Sequence, residues 1–115
     1  SMGGVGALHL AAKYPDIWAA IAVVAPGSVP MKTDWSEQIE QFTHIPTFLI
    51  QGDQDRYMPL SRGVASTMNQ LGMAHVYLVI KGGDHTGFIA ENSEMLSKVY
   101  SFFNLIRKDQ RPVLP

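Results

Sequence analysis

Three short apolar runs, each closed by a glycine or proline signal, constrain the fold of this chain more than any other feature. They are "WAAIAVVAP" from Trp18 to Pro26, "TFLIQG" from Thr47 to Gly52, and "HVYLVI" from His75 to Ile80, which precedes Gly82-Gly83. None alternates strictly between apolar and polar residues, as a strand with one wet face would. Their length and β-branched content predict strands buried on both faces. The segments between them read as helices. Met2 to Tyr14 carries Leu8, Ala11 and Ala12 on one face and ends at Pro15-Asp16. A short helix is expected around Ser36 to Phe42. Ser61 is expected to cap a helix running to Leu71, with Gly72 stopping it. Asn92 or Ser93 can cap a last helix with Met95, Leu96, Val99, Phe102, Phe103 and Ile106 as its apolar stripe. Buried strands alternating with helices predict an α/β fold: three parallel strands covered by helices on both faces.

Composition narrows the function classes. Hydrophobic residues make up 46% of the 115 and charged residues 17%, with a net charge of −1, which suits a folded globular chain. No basic stripe points to nucleic acid, and the longest apolar run is too short to span a membrane. The absence of cysteine excludes disulfides, thiolate metal sites and a cysteine nucleophile, and leaves the compartment open.

Three strands are few for a parallel sheet, and the first helix has no strand before it. The N-terminal strands are therefore expected to be missing. The opening "SMGG" has three readings on its own: a remnant of tag removal, an N-terminal nucleophile using its own amine as base, or a strand-to-helix turn cut just before its serine.

In an open parallel sheet, ligands bind beyond the carboxyl ends of the strands. Two of those ends carry unusual loops. "GDQDRYMP" follows the second strand and offers Asp53 and Asp55. "KGGDHTGF" follows the third and offers His85 in a glycine-rich turn. A serine, an acid and a histidine gathered at strand ends are the parts of a nucleophilic triad. The other histidines sit elsewhere: His9 within the first helix, His44 in a polar loop, and His75 at the amino end of its strand. Asp53 is expected to order its turn through backbone N–H groups, and Asp84 to shape the turn before His85. No further acidic cluster supports a metal site.

These segments resemble the α/β-hydrolase superfamily. "SMGG" is similar to the nucleophile elbow G-x-S-M-G-G, "PTFLIQGDQDRYMP" to the segment supplying the triad acid three residues after its glycine, and "GGDH" to the turn supplying the histidine. Their order, Ser then Asp then His, is also the hydrolase order. The likeness is strongest to the esterase-lipase and prolyl-oligopeptidase-like branches. It implies that residues 1–107 form the C-terminal portion of one α/β-hydrolase domain, followed by a flexible tail at 108–115. It also favours the elbow reading of Ser1.

The resemblance further implies roles: Ser1 as nucleophile, His85 as general base, Asp55 as the acid orienting it, and the Met2 backbone N–H as an oxyanion donor. Gly3 would let the helix pass close to the strands. Met58-Pro59 would fix the acid loop, and Tyr57, Met31 and Trp35 would lie near the substrate. The implied activity is that of a serine esterase taking a small-molecule ester, with no metal or organic cofactor and neither nucleic-acid nor membrane partners. A prolyl-oligopeptidase-type peptidase and a non-catalytic hydrolase-fold fragment are the alternatives. By itself the 115-residue chain is expected to be inactive, and either to need the missing N-terminal portion or to self-associate.

Overall fold

The computed structural model describes residues 1–85 and 93–106. In chain order the elements are α1 (Met2–Lys13), β1 (Ile21–Val24), α2 (Ser36–Glu40), β2 (Thr47–Gly52), α3 (Met58–Gln70), β3 (His75–Ile80) and α4 (Ser93–Asn104). The three strands form one parallel sheet in the order β1-β2-β3. β2 lies between its neighbours and all six of its residues are buried, as its unbroken apolar run requires.

Alternation along β2 sends side chains to two separate cores. Leu49 joins Leu8, Trp35, Ile39, Phe42, Leu60, Val64 and Met68 on the face covered by α1, α2 and α3. Phe48 and Ile50 join Phe102 and Ile106 on the face covered by α4. Phe48 and Phe102 meet edge to face with centroids 5.2 Å apart. Each such fully buried aliphatic or aromatic side chain contributes roughly 1.5–3 kcal/mol by leaving water.

Several boundaries differ from expectation, each for a local reason. β1 is four residues rather than the whole apolar run. Trp18 lies outside it, partly exposed, with its indole N–H donating to the Leu10 carbonyl at 3.2 Å. β3 is half-buried rather than enclosed on both faces. α3 begins at Met58, three residues before Ser61, because proline is tolerated in a first helical turn and Pro59 sits there. Ser61 is thus inside the helix, wholly buried, with its hydroxyl bonded to the Met58 carbonyl at 3.0 Å and the Tyr77 hydroxyl at 2.8 Å. Gly72 does end α3, in the left-handed region at φ 64°.

The close approach of α1 to the sheet occurs at Gly4, not Gly3. A Cβ on Gly4 would lie 2.7 Å from the Val24 carbonyl oxygen, whereas one on Gly3 would meet nothing within 4 Å. Phe102 in α4 and Ile106 just beyond it are buried, and Phe103 is partly exposed. The Asn92 cap, the side chains of Ser93, Met95 and Leu96, and the tail 108–115 lie outside the described residues.

Candidate active site

β2 and β3 end on the same rung, with Gly52 paired to Ile80. Their exit loops therefore leave the sheet side by side. Gly52 is pressed against the Gly83 backbone so closely that a Cβ would sit 2.3 Å from the Gly83 oxygen. Backbone bonds then lace the loops together: Asp53 N to Ile80 O at 3.0 Å and Gln54 N to Gly83 O at 2.8 Å. Asp53 adds a side-chain tie, accepting from the Gly82 N–H at 2.7 Å. It orders a turn as expected, but across 29 residues rather than locally.

This lacing brings Asp55 to His85. His85 Nδ1 lies 2.6 Å from Asp55 Oδ2. An ionised carboxylate only accepts, so Nδ1 carries the proton and Nε2 is left with its lone pair. The Asp55 side chain is wholly buried, while that of His85 keeps 25% of its surface exposed. Asp55 has two further donors: the Tyr57 N–H on Oδ1 at 2.8 Å, and Gln51 Nε2 on Oδ2 at 2.5 Å. A cleft of about 360 Å³ opens here, lined by Gln54, Asp55, Arg56, Asp84 and His85.

Ser1 stands at the start of α1 on the same end of the sheet. Its carbonyl accepts from Val5 N and Gly27 N, each at 3.2 Å, and its amine donates to the Ala25 carbonyl. Ala25 turns the chain out of β1 in a left-handed conformation, φ 45°, that a residue with a side chain adopts only under strain. Burial lowers the Ser1 amine below its ordinary value, and the Asp55 carboxylate acts in the opposite direction.

Gly27 links the two halves of the site. It bonds Ser1 on one side, and on the other a Cβ would fall 2.7 Å from the Tyr57 ring. Tyr57 in turn packs on His85, with ring centroids 5.1 Å apart. Among the described residues the Ser1 hydroxyl makes no hydrogen bond, to His85 or to any other group. Met2, at the first position of α1, has an N–H with no acceptor within the helix.

The residue pattern of the Esterase family, described as "Putative esterase", matches residues 1–88. The chain belongs to this esterase family. No curated protein matches it. Among solved structures, the chain is similar to a thermostable esterase, with a TM-score of 0.71 and 21% identity over 93% of this chain and 29% of that one. It is also similar to SOBER1 of Arabidopsis thaliana, with a TM-score of 0.69 and 22% identity over 90% of this chain and 49% of that one. The three parallel strands and flanking helices are thus those of the α/β-hydrolase fold. The chain spans less than half the length of either structure.

Of the three residues expected near a substrate, Trp35 is placed otherwise. Trp35 is buried in the core, with its indole N–H on the Lys32 carbonyl at 2.9 Å. Tyr57 is nearly as buried, but it abuts His85. Met31 is partly exposed. Arg56, which carries no motif signal in the sequence, donates to the Tyr57 hydroxyl at 3.0 Å and lies over the Tyr57 ring. Gln51 is equally silent in the sequence: a glutamine at the end of an apolar strand carries no signal until the strand's exit loop is folded back onto it. His9, His44 and His75 lie away from this cleft; the last two bond the Pro15 and Met73 carbonyls. Among the described residues no three His, Asp or Glu side chains gather as a metal site needs.

Proposed function

We propose that the complete protein is a serine hydrolase that cleaves carboxylic esters, with Ser1, His85 and Asp55 as its triad. The observation that carries the proposal is the 2.6 Å contact between Asp55 and His85 Nδ1, which leaves Nε2 as the free base. Family membership supports the ester-cleaving class.

In this reading the Ser1 hydroxyl attacks the ester carbonyl carbon as His85 Nε2 takes its proton. The tetrahedral oxyanion is met by the Met2 N–H at the positive end of α1. Collapse breaks the bond to the alcohol, which leaves with the proton held by His85. Water then attacks the acyl-serine, His85 takes the water's proton, and Ser1 departs with it to release the acid. Asp55 keeps His85 in the productive tautomer and stabilises its charged form.

The test is labelling of the complete protein with a fluorophosphonate, alongside hydrolysis of short-chain aryl esters. Labelling should fall on Ser1 and vanish in Ser1→Ala and His85→Ala. Rapid labelling of the His85→Ala protein would remove the base. Efficient cleavage of peptide amides with negligible ester turnover would replace the esterase by a peptidase.

A further inference from the structure

Gln51 is out of place in its strand. β2 is otherwise apolar apart from Thr47, whose hydroxyl is bonded to the Ile45 carbonyl at 3.1 Å. Gln51 is fully buried, and its amide is only half satisfied. Nε2 donates to Asp55 Oδ2 at 2.5 Å, while Oε1 has no partner among the described residues. A buried unpaired acceptor opposes folding. Turning the amide over would not relieve it, because Oε1 would then face the carboxylate and repel it. The amide's orientation is dictated by Asp55, and the fold tolerates the orphaned oxygen to keep that bond.

The oxygen that Gln51 holds is the one that holds His85. Asp55 Oδ2 receives both Gln51 Nε2 and His85 Nδ1, and Oδ1 receives the Tyr57 N–H. Two of these donors are anchored, one on a central strand and one on the backbone. They prevent the carboxylate from rotating away from the imidazole. Gln51 also takes up part of the negative charge on Oδ2, so the shared proton stays on His85 rather than passing to Asp55.

We infer that Gln51 is a positioning residue of the triad, acting through Asp55 to fix the direction and proton affinity of His85. The inference deepens the serine-hydrolase reading and rests on it for its kinetic consequences. Gln51→Met, close in length but without a donor, is the informative variant in the complete protein. Its melting temperature should stay close to the native value, since removal of the unpaired buried acceptor offsets the lost bond to Asp55. Its kcat should drop about tenfold at unchanged KM, the size of one lost hydrogen bond to a charged group. The acid limb of its pH–rate profile should move to higher pH, because the less solvated carboxylate holds the imidazolium more firmly.

The His85 Nδ1 proton, read by NMR, should shift in the same variant. Gln51→Glu preserves size if the methionine variant does not fold. Two carboxylates cannot both ionise in so dry a site, so one of them holds a proton and the His85 Nδ1 resonance should move from its native position. A methionine variant with native rate, pH profile and resonance overturns the inference. So does one that loses melting temperature and rate together while profile and resonance stay native, since Gln51 would then be structural only. Failure of the native protein to label at Ser1 removes the hydrolase reading, and the resonance still decides the role of Gln51.

Discussion

Gly52→Ala tests the idea that one backbone contact assembles the acid and the base. The new Cβ would lie 2.3 Å from the Gly83 oxygen, 2.5 Å from its carbonyl carbon and 2.8 Å from the Asp84 oxygen. All three are backbone atoms, so no side chain can swing aside. Ordinary contact begins near 3.4 Å, so the two loops must part by about 1 Å, a displacement that costs on the order of 10² in rate when it separates catalytic groups. Separation on that scale also breaks the 2.8 Å bond from Gln54 N to Gly83 O. Overpacking and the lost bond together should destabilise the fold by about 2–4 kcal/mol. Thermal melting and the rate of fluorophosphonate labelling read the two effects separately. Gly6→Ala is the control: its Cβ meets nothing within 4 Å, and alanine should stabilise the middle of α1 by roughly 0.5–1 kcal/mol without touching labelling. Native labelling and native melting in Gly52→Ala would refute the reasoning.

Asp55→Asn should lower kcat by roughly 10⁴, because an amide favours the wrong imidazole tautomer, whereas Asp53→Ala should mainly cost about 1 kcal/mol for the unpaired Gly82 N–H; the opposite pattern in paired kinetic and melting measurements would exchange their roles. Gly27→Ala should drive the Tyr57 ring from its 2.7 Å approach and disturb His85 behind it, costing about 1–3 kcal/mol in melting experiments together with a drop in labelling rate. Asp34 is held below its ordinary value of 3.8, first by the Ser36 hydroxyl and then by the Ser36 N–H. Its contribution to stability is therefore present above 3.8 and lost as pH falls through the depressed value; Ser36→Ala should move the Asp34 titration, followed by NMR, back up towards 3.8.

The sheet was legible because its evidence is local. "TFLIQG" and "HVYLVI" carry their own length, composition and stops, and both strands begin and end where those signals fall. The first apolar run failed at its amino end because Trp18 is as hydrophobic as a strand residue yet packs back along α1. Ser61 looks like a cap in the sequence because capping and helix-interior serines differ only in what their hydroxyls meet. Pro59 was the available signal for the earlier start. The choice between Gly3 and Gly4 depends on which side of α1 faces β1, and no periodicity of small residues reveals it. Asp55 and His85 were found through their resemblance to known motifs. Gln51 and Gly27, which support them, carry no such signal, since they acquire meaning only once separate loops are folded together; Tyr57 is expected near the site, but not its packing on His85.

That dependence makes strand register a condition of the chemistry. β1 and β2 pair as far as Val24 with Ile50, and Ala25 N still reaches the Ile50 carbonyl at 2.8 Å before the left-handed turn. β2 and β3 continue two rungs further, to Gly52 with Ile80. The staggered ends let the loop after β1 bring Gly27 beneath Tyr57 and beside Ser1, while the other two loops converge above. A slip of one residue between β2 and β3 would displace Asp55 relative to His85 by about 3.3 Å along the strands, well beyond what a hydrogen bond tolerates. It would also turn Phe48 and Ile50 into the face now filled by Leu49, exchanging the two cores. The same alternation that separates the cores therefore fixes the distance between Asp55 and His85. In this chain the packing of β2 is part of the geometry of the proposed triad.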